Sequence, residues 1–258
     1  MDTERQGEEV GVRAVILSAG QGKRLLPLTR SLPKCLLPVH GRTVLEWQLR
    51  SLHEAGIRQV AIVVGFGAGQ VEAEVAGCRL PGFEVSTIHN ALFDKSDNLV
   101  SCLVARAQMD GDFVLVNGDT IFQPAIVRRL LESGNDAVSM AISCKESYDD
   151  DDMKVQWTDG RVLRVGKDLP RDVVDGEAIG VSLFRAPAAK IFVEVLEELA
   201  AAADGHRKWY LSAVQVMAER GLVRGVRTGG LRWMEIDTPE DLESARAAMP
   251  TWSELPGC

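Results

Sequence analysis

Apolar residues recur along this chain in two rhythms. Predominantly apolar runs of strand length stand at 12–17, 59–64, 113–117 and 137–143, with further strand-like runs at 83–88 and 178–184. Runs without polar alternation predict strands covered on both faces. Between them lie helical spacings. Val44, Leu45, Leu49 and Leu52 mark a helix over 43–55, which Gly56 closes as a C-terminal cap. A short helix is predicted over 99–107. Pro124 opens another at its first position, with Ile126, Val127, Leu130 and Leu131 on its apolar face. Ile191, Phe192, Val195, Leu196 and Leu199 line the inner side of a helix over 187–203, and a further helix spans 209–220. Thr238-Pro239-Glu240-Asp241 resembles a capping box with Pro at the first helical turn, so a last helix starts there.

Strand and helix in alternation predict an α/β fold, a doubly wound and mostly parallel sheet. The alternation breaks once. Two short strands at 154–157 and 161–165 are joined by Thr158-Asp159-Gly160, and Asp-Gly between two such runs is a hairpin signal. We therefore expect a small hairpin-rich insertion over about 145–180, covering the C-terminal edge of the sheet. One domain over 12–250 follows, with a poorly ordered polar arm at 1–11 and a tail at 251–258.

Composition narrows the class. The 258 residues, 46% hydrophobic and 26% charged, suffice for a full core. A net charge of −8 argues against a nucleic-acid surface. The five cysteines never fall in C-x-x-C spacing and the four histidines form no i, i+4 pair, so neither a disulfide framework nor a zinc site is expected. No apolar run nears the roughly 18 residues of a membrane span, and the acidic N-terminus is unlike a signal peptide. These features point to a cytoplasmic protein with no membrane insertion. A homodimer is left open.

Against this acidic background the cations of the first loop are a local exception. Ser18-Ala19-Gly20-Gln21-Gly22-Lys23-Arg24 follows the first strand, with small residues first and two cations last. Gly20 and Gly22 permit a tight turn whose N–H groups reach phosphate oxygens, and Lys23 and Arg24 supply a point charge and a planar fork. After Pro27 and Pro33, Lys34 arrives as a third cation. The stretch reads as a triphosphate clamp, although a plain strand-to-helix turn with solvated cations has the same local pattern. The Walker pattern fails, because Gly20 to Lys23 is too short and Arg24 replaces the metal-binding hydroxyl; the dinucleotide pattern fails at Leu25.

Other candidates lie downstream. Asp119 ends a buried strand, where carboxylates of open α/β sheets enter the ligand crevice and where magnesium finds a hard oxygen. The loop 89–101 holds Asn90, Asn98 and Ser101, side chains that both donate and accept as base recognition requires; Asp97 or Asn98 serves equally as a helix N-cap. Lys154 and Lys167 are cations able to neutralise an acceptor phosphoryl group, and Glu177 suits an acceptor hydroxyl or ammonium, or is a strand-edge residue. The run Asp149 to Asp152 is expected to be a solvated connection. Trp209 and Tyr210 are either one wall of an alkylammonium pocket or simple packing.

The opening stretch resembles the signature of nucleotidyltransferases that join a nucleoside triphosphate to a phosphorylated small molecule, the sugar-1-phosphate nucleotidylyltransferases among them. Ala19-Gly20-Gln21-Gly22-Lys23-Arg24-Leu25-Leu26-Pro27-Leu28-Thr29 and Pro33-Lys34-Cys35-Leu36-Leu37-Pro38-Val39 carry the likeness. Met153-Lys154-Val155, Val165-Gly166-Lys167-Asp168-Leu169 and Gly176-Glu177-Ala178-Ile179-Gly180 look like the bacterial cytidylyltransferases acting on phosphocholine, inositol phosphate and small phosphonates. Sugar-specific members usually show Glu-Lys-Pro where this chain has Gly166-Lys167-Asp168. Asn98 and Ser101 match the cytidylyltransferase branch, while Cys102 replaces its usual Leu.

The resemblance implies a magnesium-dependent transfer of CMP from CTP to a small phosphorylated or phosphonylated acceptor. It implies that Ala19, Gly20, Gly22, Lys23, Asn90, Asn98 and Ser101 meet the nucleotide, and that Arg24, Lys34 and Lys167 are catalytic. Lys154, Lys167 and Glu177 then face the acceptor. Asp119 and Asp237 hold the metal, Asp237 matching the aspartate of Trp233-Met234-Glu235-Ile236-Asp237-Thr238. A nucleotidylyltransferase using another triphosphate on a sugar phosphate, and a sensor that binds nucleotide without turnover, are the rival expectations.

Overall fold

The computed structural model describes residues 11–252. The expected arm and tail fall outside the described residues except at Gly11, Thr251 and Trp252, and Trp252 is buried in the last short helical turn rather than trailing.

The chain opens with β1 (Arg13–Ser18), passes through the cation loop to the small pair β2 (Pro38–Val39) and β3 (Arg42–Thr43), and enters α1 (Val44–Glu54). Then come β4 (Gln59–Val64), α2 (Ala68–Gly77), β5 (Glu84–His89), α3 (Asn98–Val104), β6 (Phe113–Asn117), β7 (Thr120–Phe122), α4 (Pro124–Leu131) and β8 (Val138–Ser143). The second half holds β9 (Lys154–Thr158), β10 (Arg161–Gly166), β11 (Gly176–Phe184), α5 (Ala186–Ala200), α6 (Leu211–Glu219), β12 (Val223–Arg227), β13 (Trp233–Glu235) and α7 (Pro239–Ala248).

Nine strands form one sheet in the order β5-β4-β1-β6-β11-β8-β12-β10-β9. Its first four strands run parallel, as expected for the apolar runs of β1, β4 and β6, while β5 at the sheet edge alternates polar and apolar residues. Successive side chains divide between two cores. Val15, Leu17, Phe113 and Leu115 pack under α3, α5 and α6 through Leu99, Phe192 and Val214. Ala14, Ile16, Val114 and Val116 pack under α1 and α4 through Leu45, Leu49, Ile126 and Leu130. A strand with helices on both faces has no polar side, which explains the missing alternation.

The expectation of a mostly parallel sheet needs correction. The sheet is mixed: β11 lies antiparallel between β6 and β8, and β12 then pairs parallel with β8. The hairpin β9–β10 forms across Asp159 and Gly160, both at positive φ as a two-residue turn of this kind requires. It is continuous with the sheet, since β10 pairs with β12 and β9 with the start of β11. The strands β11, β8, β12, β10 and β9 thus close on themselves. The chain passes from β8 to its antiparallel neighbour β11 through the β9–β10 hairpin and a single 3-10 turn at Arg171–Val173, with no α-helical crossover to restore a parallel direction.

A third, smaller core seats the site. Leu25, Leu37, Trp47, Ile121, Ile236, Leu242 and Trp252 are buried together under the two-stranded sheet of β7 and β13. That pair is antiparallel, with Glu235 opposite Thr120, and the Ile236 N–H donates to the Asp119 carbonyl at 3.0 Å. Residues distant in sequence are thereby fixed beside the C-terminal end of β6.

Candidate active site at the carboxyl ends of the parallel strands

The cation loop leaves β1 and passes over the end of β6. Gly22 takes φ 73, and a Cβ there would stand 3.0 Å from the Lys34 stem, so this glycine seats the lysine. Gly20 is different. It is absent from the positive-φ glycines, and a Cβ on it would meet nothing within 4 Å. The turn itself therefore does not need a glycine at this position.

Lys34 is the centre of the charge network. Its ammonium donates to Asp119 Oδ2 at 2.8 Å and also to Asp237 Oδ1. Arg24 spends its fork on two carboxylates, Asp237 and Asp151. Burial by itself would lower the Lys34 ammonium, but Asp119 and Asp237 outweigh it and hold the group above its ordinary value. Lys34 is accordingly a permanent cation at neutral pH.

Three carboxylates gather here. Oxygens of Asp119, Glu235 and Asp237 all lie within 4.8 Å of one another. Glu235 and Asp237 reach the same place because they are two apart along an extended segment, while Ile236 between them points into the core. Glu235 keeps exposed surface as a residue, while its carboxyl end is packed among the protein atoms of the cluster. Burial first, then the charges of Asp119 and Asp237, push its carboxyl up to about 8. A cluster of hard oxygens that resists ionising all its members suits a hard divalent cation. The sequence reading missed Glu235, although the alternation through Glu235-Ile236-Asp237 was the signal for it.

Lys167 approaches from β10's end. Its ammonium donates to Asp151 Oδ1 at 2.7 Å and lies 5.2 Å above the Trp209 ring. Ala19, Gly20, Gly22, Lys34, Asn98, Ser101, Asp119 and Trp209 line one crevice of about 240 Å³. Lys23, Arg24 and Asp237 line an adjoining one with Gly20 and Gly22. Lys23 is exposed.

Other expected site residues have structural partners. Asn90 is 1% exposed, donates to Ser101 Oγ at 3.1 Å and accepts from the Leu92 N–H. Asn98 accepts from the Tyr210 N–H at 2.8 Å, tying α3 to the residue before α6. Lys154 is also 1% exposed, and its ammonium donates to the Lys167 carbonyl at 2.7 Å; it supports the Lys167 backbone and is not presented to solvent. Glu177 is buried and not a strand-edge residue in the solvent. It pairs with Lys145 at 2.9 Å. Tyr210 belongs to the core and donates to Asn117 Oδ1, whereas Trp209 is exposed at the crevice. The Asp149–Asp152 run is not a plain solvated connection, because Asp150, Asp151 and Asp152 each hold a cation.

One crevice holding Lys34 and Asp119, an adjoining one holding Lys23, Arg24 and Asp237, and three clustered carboxylates are an arrangement that suits nucleotidyl transfer. The family model for the MobA-like NTP transferase domain matches residues 14–216, and the chain belongs to that family. It is 34% identical over 257 residues to a bifunctional IPC transferase and DIPP synthase of Rubrobacter xylanophilus, covering 98% of this chain and 55% of that protein. It is 30% identical over 248 residues to a CMP-5'-(3-aminopropyl)phosphonate synthase of Streptomyces rubellomurinus, covering 92% of this chain and 39% of the relative. The chain thus spans about half or less of the length of these relatives. Among solved structures it superposes on the inositol-1-phosphate CTP transferase from T. maritima with a TM-score of 0.80 at 22% identity, covering 96% of this chain and 99% of the other, which shows the fold. Among the described residues, no helix is long and apolar enough to cross a membrane.

Proposed function

We propose that this chain is a magnesium-dependent cytidylyltransferase that transfers CMP from CTP to a small phosphate monoester or phosphonate. The observation that carries the reading is the junction of Arg24, Lys34, Asp119 and Asp237, whose ion pairs join cations suited to phosphate to carboxylates suited to a metal where two crevices adjoin. The choice of cytidine is supported by the relative named for a CMP-phosphonate product.

An acceptor phosphoryl oxygen forms a bond to the α-phosphorus of CTP. The bond from that phosphorus to its bridging oxygen breaks, and pyrophosphate leaves with the electron pair. The nucleophile is already an anion at neutral pH, so the protein contributes position and charge. Ala19, Gly20 and Gly22 present backbone to the nucleotide. Lys23 and Arg24 take the β- and γ-phosphates, Lys34 the α-phosphate and Lys167 the incoming anion. Asn98 and Ser101 line the same crevice on the base side, while Asn90 holds Ser101 in place. To the organic part of the acceptor we assign a cavity of about 450 Å³ lined by Glu177 and Lys145, which also reaches Glu235 and Asp237. Magnesium, held by Asp119 and Asp237 with Glu235 beside them, would neutralise charge developing on the phosphates.

The test is pyrophosphate release with magnesium, each of the four ribonucleoside triphosphates, and a panel of phosphocholine, inositol phosphate and aminoalkylphosphonates. Release with CTP and one acceptor class is the expected result. Nucleotide binding without release would overturn it.

A further inference from the structure

Asp151 touches both halves of the proposed site. Its Oδ2 accepts from Arg24 Nη1, and its Oδ1 accepts from Lys167 Nζ at 2.7 Å. Each carboxylate oxygen therefore meets one cation, in the two-oxygen edge that a phosphoryl group also presents. The remaining arm of the Arg24 fork is held by Asp237. All three side chains retain solvent access, with 48% exposure at Arg24, 56% at Asp151 and 30% at Lys167. The backbone N–H of Asp151 donates to Asp149 Oδ1 at 2.8 Å within the loop between β8 and β9, and Asp151 lines the cavity that also reaches Glu177, Glu235 and Asp237.

We infer that Asp151 is an internal counter-anion, exchanged for phosphoryl oxygens when donor and acceptor bind. The inference rests on the proposed roles of Arg24 and Lys167. Substrate must displace Asp151 or accept its charge at close range, and either route weakens binding. The loop supplies a cost that the cations alone would not impose. It also places one negative charge between the two cations, offsetting their mutual repulsion until anions arrive.

Asp150 is the control. Its side chain is 95% exposed and, among the described residues, its ion pair is with Arg171, so its removal deletes the same charge one residue away without breaking a contact to Arg24 or Lys167. Binding of inorganic pyrophosphate to wild type, D151N, D151A and D150N is measured by calorimetry at low salt, with melting temperatures to confirm folding. The acceptor KM is measured alongside. Both Asp151 variants are expected to bind pyrophosphate about two- to fivefold tighter, the size of one or two exposed ion pairs, and to lower the acceptor KM in proportion. D150N should match wild type. Unchanged or weaker binding in the Asp151 variants overturns the inference, as does an equal tightening in D150N. If wild type binds neither CTP nor pyrophosphate, the functional reading fails as well; tight wild-type binding with an inert Asp151 sinks this inference alone.

Discussion

Gly118 is the position where a single added methyl group should disturb fold and function together. It lies between Asn117 of β6 and Asp119, and its N–H donates to the Leu17 carbonyl at 3.0 Å. A Cβ at this site would stand 2.3 Å from Ser18 Oγ, 2.4 Å from the Leu17 carbonyl oxygen and 2.9 Å from Ser18 Cα. The hydroxyl can rotate away, but the other two atoms are backbone of β1. The contact with Leu17 falls about 0.6 Å short of the 3.0 Å below which real Cβ atoms are essentially never found, so the ends of β1 and β6 must part in Gly118→Ala. Overpacking of this kind costs about 1–3 kcal/mol. For a chain of this size that is a fall of roughly 2–12 °C in melting temperature. Asp119 follows directly and must move with the strand end. A misplacement of this order lowers the rate about 10- to 100-fold. Thermal unfolding and pyrophosphate release measured on the same preparation check both numbers. Wild-type melting together with wild-type turnover would refute the steric argument, because the contact leaves no room for both.

The contrasting variant is Gly20→Ala. Among the described residues nothing lies within 4 Å of its Cβ, so its melting temperature should equal wild type while the KM for CTP rises; a destabilised variant would contradict the open surroundings. Asp119→Asn and Asp237→Asn should each cost about 10²- to 10³-fold in rate and weaken Mn²⁺ binding followed by its paramagnetic signal, and retained Mn²⁺ affinity would remove these residues from the metal set. Lys154→Met leaves the Lys167 carbonyl without its buried donor. A loss of about 1–3 kcal/mol in stability is expected, with a raised acceptor KM that a purely structural lysine would leave alone. At Glu177, burial first and Asp152 second push the carboxyl from 4.5 up to about 7, against the opposing pull of Lys145. Its folded value is raised, so its stabilising contribution is complete below 4.5 and lost as pH rises through about 7. Wild type should therefore lose about 1–3 kcal/mol relative to Glu177→Gln between pH 5 and 8, and parallel melting curves across that range would contradict the shift.

Local chemistry was legible in the sequence where it depended on neighbours along the chain. Apolar runs without alternation announced strands covered on both sides, Asp159-Gly160 announced its hairpin, and Thr238 to Asp241 announced the cap that leaves Asp237 outside the last helix. The basic loop stood out because the rest of the chain is acidic. Tertiary structure alone decided which of these residues meet. The antiparallel insertion of β11 has no local signature, since a strand's own pattern does not record the direction of its neighbours. Lys154 and Lys167 look alike as letters; one is buried on a carbonyl and the other stands over a tryptophan ring. The carboxylates of the 149–152 run read as solvated because charge runs usually are, until the fold brings Arg24 from more than a hundred residues away to Asp151. Residue type and spacing thus determined what each segment can do. The pairing of β7 with β13 and the closing of β9 onto β11 determined with whom, because those contacts exist only once distant backbone segments have been hydrogen-bonded into register.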